Sequence, residues 1–177
     1  YPFHRVCGEY ISLESRQFLR SMGIDAEAMQ LPIIDRLEVS APNGKTLQHQ
    51  LSLGGMGISR YKLDLELANQ ARLSGVTLSE NTRVQDMQFI QDEFSIGTNA
   101  GNYRSRIAVG SFGKRSNLDV KMHRRFIQNK ASGLNNYIGI KYHIRYNHPR
   151  DTIVLHNFAD GYCGMSAIEE GLSCLCY

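Results

Sequence analysis

Residues 59–75, SRYKLDLELANQARLSG, carry the clearest helix signal in the chain, and the pattern just downstream of them decides the fold class. Ser59 can accept a hydrogen bond from a first-turn N–H, and Gly75 can adopt the left-handed conformation that ends a helix. Between them Leu63, Leu67 and Ala71 recur on one face, with Ala68 beside them. Short strand-like runs come next, at 76–81, 84–91 and 93–99, then at 103–110 beyond the turn Asn99-Ala100-Gly101-Asn102. A helix followed by several short strands predicts an α+β or α/β arrangement with a β-meander.

Upstream, Gly54-Gly55-Met56-Gly57 reads as a flexible loop. Before it, alternating runs flank Pro42-Asn43-Gly44, the pattern of a hairpin. Ser12 can cap a helix over 13–22, with Phe18, Leu19 and Met22 as its apolar stripe and Gly23 just past its end. Downstream, the loop 110–119, GSFGKRSNLD, leads through a mixed stretch to YIGIKYHIRY at 137–146. Further strand patterns occupy 152–158, 162–171 and 172–177, so three or four antiparallel strands are expected there.

The chain has 177 residues, of which 42% are hydrophobic and 21% charged. That excludes an intrinsically disordered chain and permits a real core. No apolar run approaches the ~20 residues of a membrane-spanning helix. Residues 1–10, YPFHRVCGEY, lack the order of a signal peptide. The chain opens without Met and closes inside a strand pattern, so a piece of a larger cytoplasmic protein is expected. Its net charge of +3 hides an uneven distribution: residues 101–150 hold 11 Lys and Arg and one acid, Asp119. Such a block can draw phosphates or an anionic lipid surface, giving peripheral membrane contact. It lacks a nucleic-acid-binding signature, and no nucleic-acid partner is expected. The composition shift near residue 118 is the best candidate boundary.

Cys7, Cys163, Cys174 and Cys176 are not in zinc spacing and read as reduced thiols, with Cys174 and Cys176 on one face of a strand. No G-x-G-x-x-G, P-loop or H-E-x-x-H occurs, and no nucleophile triad or metal site is assigned. Three local patterns remain. Arg5 precedes Cys7-Gly8 in a loop. Arg60 opens a helix where its charge opposes the dipole, which suits an anion contact or a plain surface arginine. At 109–116, VGSFGKRS, a strand runs into a glycine loop with two cations, a setting in which backbone can approach an anionic ligand.

Together, in this order and spacing, these patterns resemble the geranylgeranyl reductase family, part of the para-hydroxybenzoate hydroxylase-like group of FAD enzymes. The likeness spans YPFHRVCGEYIS, GISRYKLDLELANQARLSGV, Val84, VGSFGKRS, YIGIKYHI and LHNFADGYCGMSAIEEG. It implies an α+β piece of an α/β parent. Residues 1–117 would be a partial FAD-binding domain with an inserted hairpin at about 31–53. Residues 118–177 would be a partial antiparallel substrate-binding domain. The dinucleotide fingerprint would precede Tyr1 and a Gly-Asp motif would follow Tyr177, so the 177 residues alone should hold FAD poorly.

The resemblance also implies roles. Arg5 would contact FAD phosphate or ribose, Cys7 and Gly8 would lie against the flavin, and Arg60 would reach the cofactor from its helix. Val84 would touch the adenine. Gly113 and Ser116 would belong to a second glycine motif, where Phe112 stands in place of the family's usual Asp. Tyr162, Cys163 and Gly164 would line the substrate side. The implied reaction is oxidation or reduction of a carbon–carbon bond in a small or lipid-like substrate, with NAD(P)H as candidate electron donor. Hydroxylation and halogenation are the enzymatic alternatives. A non-catalytic module binding phosphate or anionic lipid through 101–150 is the alternative of another class.

Overall fold

The computed structural model describes residues 1–113, 116–128 and 137–177. Its contacts divide the chain into two units, Tyr1–Leu78 with Tyr137–Tyr177, and Ser79–Asn136. The first unit is built on a seven-stranded sheet. Its strands are β1 (Tyr10–Ser12), β2 (Ile33–Ser40), β3 (Thr46–Gly57), β7 (Lys141–Ile144), β8 (Thr152–Phe158), β9 (Gly161–Ala167) and β10 (Ser173–Cys176), in the order β1-β3-β2-β8-β9-β10-β7. Neighbours run antiparallel except β2 and β8, which pair in parallel.

The hairpin forms where the alternation predicts it. Gly44 takes φ +80° in its turn, a conformation that costs a glycine little. Gly54–Gly57 differs from its reading as a loop. These residues continue β3, are buried, and pair with β1 and β2. The reason is close packing: a Cβ on Gly57 would sit 1.8 Å from the Ala167 carbonyl oxygen, and one on Gly55 2.2 Å from the Tyr10 ring.

Two helices pack beside this sheet. Ser12 accepts from the Glu14 N–H and starts a 3₁₀ turn, Leu13–Ser15, which runs into α1 (Arg16–Ser21). Ser59 accepts from the Lys62 N–H and caps α2 (Arg60–Leu73). Leu19, Ile24, Ala26, Leu31, Met56, Ile58 and Leu63 form the core between them. Phe18, expected on the apolar stripe of α1, is 66% exposed, because the short helix turns Leu19 inward instead.

The second unit holds the expected meander, β4 (Val84–Ile90), β5 (Glu93–Thr98) and β6 (Gly101–Ser105), each pair antiparallel. Residues 76–81 are not a strand, and β6 stops at Ser105, leaving Ile107 and Val109 exposed. Ser116 caps α3 (Asn117–Lys121), and α4 (Arg125–Gln128) comes after it. The contact boundaries at 78/79 and 136/137 differ from the composition shift near residue 118. The hairpin expected as an insert in a cofactor domain pairs through β2 with β8, so it shares one sheet with the C-terminal strands.

Candidate functional site

Arg5, Cys7, Gly8 and Arg60 come together at the N-terminus of α2. Asp64, one turn into the helix, is buried and joins the two arginines. Arg60 Nε and Nη2 donate to its two oxygens at 2.8 and 2.9 Å, and Arg5 Nε approaches Oδ2 at 3.3 Å. The hydrogen bond to Asp64 raises the Arg60 guanidinium above its ordinary value. Two cations thus share one carboxylate beside the loop that carries Cys7 and Gly8. A Cβ on Gly8 would meet nothing within 4 Å, so open space lies beside its backbone.

Beneath that loop is a cluster the sequence reading did not single out. Glu9 has φ +54° and no exposed side-chain surface. Its Oε1 accepts from Lys141 Nζ at 2.6 Å and from the Arg60 N–H at 2.8 Å, and its Oε2 lies 2.6 Å from His143 Nε2. Glu169 is buried as well, accepting from the Ser59 N–H at 2.8 Å and from the Ser59 hydroxyl. Two carboxylates therefore meet the start of α2, where the free N–H groups and the dipole favour negative charge. A glutamate in a loop reads as surface, which hid Glu9. The usable signal was the spacing of Lys141 and His143, two apart and so on one face of a strand.

Register then assigns the faces of the sheet. Lys141, Cys176, Gly164, Leu155, Val39 and Leu47 stand directly opposite one another across six strands, β7-β10-β9-β8-β2-β3. The Cys7–Glu9 loop lies on this face: Lys141 and His143 hold Glu9, Cys174 Sγ–H donates to the Cys7 carbonyl at 3.5 Å, and Ser166 Oγ donates to the Gly8 carbonyl at 3.3 Å. Toward the hairpin the same face carries Leu155, Val39 and Leu37, half-buried, with Leu47, His49 and Asn157 exposed beside them. The opposite face is mixed: Val154 is buried there in the row between Glu38 and Met165, while Gln48 Nε2 donates to Glu38 at 3.0 Å and Ser40 Oγ lies 2.7 Å from His156 Nδ1.

Tyr162, Cys163 and Gly164 are consecutive on β9, so they cannot all line one face. Gly164 and Tyr162 share the face of the Cys7 loop. Cys163 points the other way, in a row with His156. All four cysteines are free. Burial raises the thiols of Cys163 and Cys176, and raises that of Cys174 further, with Glu9 adding to it.

Val84 and Ser116 meet in the second unit. They line a cavity of about 860 Å³ with Arg83, Phe112 and Lys121. Gly113 has φ +80° with nothing within 4 Å of a Cβ position. Lys114 and Arg115, the cations of the glycine loop, lie outside the described residues.

No protein-family model matches the sequence, and a search of curated proteins finds no match. Solved structures do match. A flavoprotein/dehydrogenase from Cytophaga hutchinsonii superposes with a TM-score of 0.72 at 16% identity, over 99% of this chain and 46% of its own. A p-nitrophenol 4-monooxygenase from Pseudomonas putida gives 0.70 at 14%, over 98% and 48%. The chain has the fold of a flavoprotein segment. A geranylgeranyl bacteriochlorophyll reductase-like protein from Thermoplasma acidophilum gives 0.69 at 17%, over 96% and 45%. The chain spans about half the length of these structures, and the likeness is to the flavoprotein fold rather than to one family within it. Among the described residues no helix is long and apolar enough to cross a membrane.

Proposed function

We propose that the chain is part of an FAD-dependent oxidoreductase acting on a carbon–carbon bond of a lipid-like substrate. The flavoprotein fold supports the cofactor. The observation that carries the substrate class is the in-register row Gly164-Leu155-Val39-Leu47. It leads from the strand beside the Cys7–Gly8 loop to β3, a reach of about 14 Å at the spacing of neighbouring strands. An extended aliphatic chain laid on it would remove apolar surface from water along its length.

The residues present fit an FAD. Arg5 and Arg60, 49% and 35% exposed, present guanidinium groups that suit a phosphate, and the open space at Gly8 admits a flat ring against backbone. Taken by itself, the cavity of Val84 and Ser116 in the second unit, with Arg83 and Lys121 on its wall, suits an anionic aromatic ligand, and Gly113 would belong to the same motif. When bound, the flavin would supply the redox chemistry. The chain would hold the Cys7–Gly8 loop fixed through Glu9, Lys141 and Ser166, and would orient the substrate on the apolar row. NAD(P)H is the electron donor to test first, and a membrane surface is the natural source of such a substrate.

A second reading, hydroxylation or halogenation, is favoured by the monooxygenase and a flavin-dependent halogenase among the structures of the same fold. The test is anaerobic. The reduced full-length protein is mixed with long-chain alkenes and flavin reoxidation is followed by absorbance. Reoxidation by the alkene, slowed on the order of tenfold in Val39→Glu with flavin content unchanged, supports the reductase. In a second arm with oxygen admitted, reoxidation that requires oxygen and yields an oxygenated product, or with added halide a halogenated one, supports the second reading. Salt-sensitive retention on anionic vesicles by a protein without flavin would favour a binding module instead.

A further inference from the structure

Residues 46–52, TLQHQLS, read nearly the same in both directions about His49. Gln48 mirrors Gln50, Leu47 mirrors Leu51, and the hydroxyl residues Thr46 and Ser52 form the outermost pair. This segment is the outer half of β3. β1 covers β3 only at Gly55–Gly57, so among the described residues the other edge of 46–52 has no strand beside it. Exposed edges are ordinarily guarded by charge, proline or a bulge, because their free N–H and C=O groups pair with any strand that reaches them. Here no residue of 46–52 is charged and none is proline, and the register with β2 is continuous over 46–50, its shift falling at 51–54.

We propose that this edge is a homodimer interface, with two copies joined antiparallel along β3 about a twofold axis at His49. Antiparallel pairing sets each residue opposite its mirror position, so Leu47 meets the partner's Leu51 and Gln48 meets the partner's Gln50. Like then faces like on both sides of the sheet. The register also suits the charges one strand in. Glu38 stands beside Gln48 and Arg36 beside Gln50. The polar face would therefore run from Glu38 through the paired glutamines to the partner's Arg36. A parallel pairing would set Glu38 near its own copy. The interface is isologous, as a twofold dimer requires. The proposal does not rest on the flavin reading.

Sedimentation of the full-length protein over a wide concentration range tests it, with His49→Glu, His49→Lys and their equimolar mixture. The expected result is a concentration-dependent dimer in the natural protein. Each variant should associate more weakly by about tenfold or more, since like charges would face one another across the axis. The mixture should recover the dimer, which also shows that both variants are folded. A natural protein that stays monomeric throughout overturns the proposal. So does a dimer indifferent to both substitutions, or a mixture no stronger than its components.

Discussion

Glu9 and Lys141 make the most demanding residue-scale arrangement in the chain. Both side chains are withdrawn from water, at 0% and 5% exposure, and they pair at 2.6 Å. Removing one partner of a buried pair leaves the other uncompensated, so Lys141→Met should cost about 3–5 kcal/mol in urea denaturation. The double variant Glu9→Gln with Lys141→Met should recover most of that loss. A single-variant loss no greater than that of an exposed lysine would contradict this pairing. Cys174 gives a second prediction. Burial holds its thiol above the ordinary value of 9.0, so the unfolded chain loses that proton first as pH rises. The stability it contributes is intact below pH 9.0 and declines above it, and Cys174→Ala should flatten this alkaline decline. In the sequence, Arg5, Cys7 and Arg60 stand out as oddly placed charges and a reactive residue type. Glu9 and Asp64 stand in the same stretches, but nothing local gives them a role, because their burial depends on segments far away in the chain.

At the scale of elements, the hairpin, α2 and the meander arise from local signals: alternation, a capping serine and a turn glycine. β3 runs further than its sequence suggests for a physical reason. A run of glycines locally signals freedom, yet here each absent side chain makes room for another part of the chain. Gly57→Ala should destabilise the protein on the order of 3 kcal/mol, since the Ala167 carbonyl fills the space a Cβ needs. Gly44→Ala meets open space and should cost only the ~1–2 kcal/mol of a strained φ. Thermal or urea denaturation of the two variants side by side checks the contrast. Strand alternation also settles what residue types alone leave open: Tyr162 and Gly164 belong to one face and Cys163 to the other.

At the scale of the molecule, the sheet joins segments distant in sequence. The parallel pairing of β2 with β8 unites residues 36–40 with 152–156. No local pattern specifies that pairing, and the change of composition near residue 118 does not mark it. The in-register row and the Glu9 cluster exist only because this sheet brings distant strands together, so no stretch of sequence shows them without the register. A bound flavin is the central claim. The most direct measurement is the absorption spectrum of the full-length protein, with FAD counted after release by denaturation. The expected result is a flavin spectrum and about one FAD per chain, reduced in Arg5→Ala combined with Arg60→Ala. A colourless full-length protein that leaves the spectrum of added FAD unchanged would contradict it.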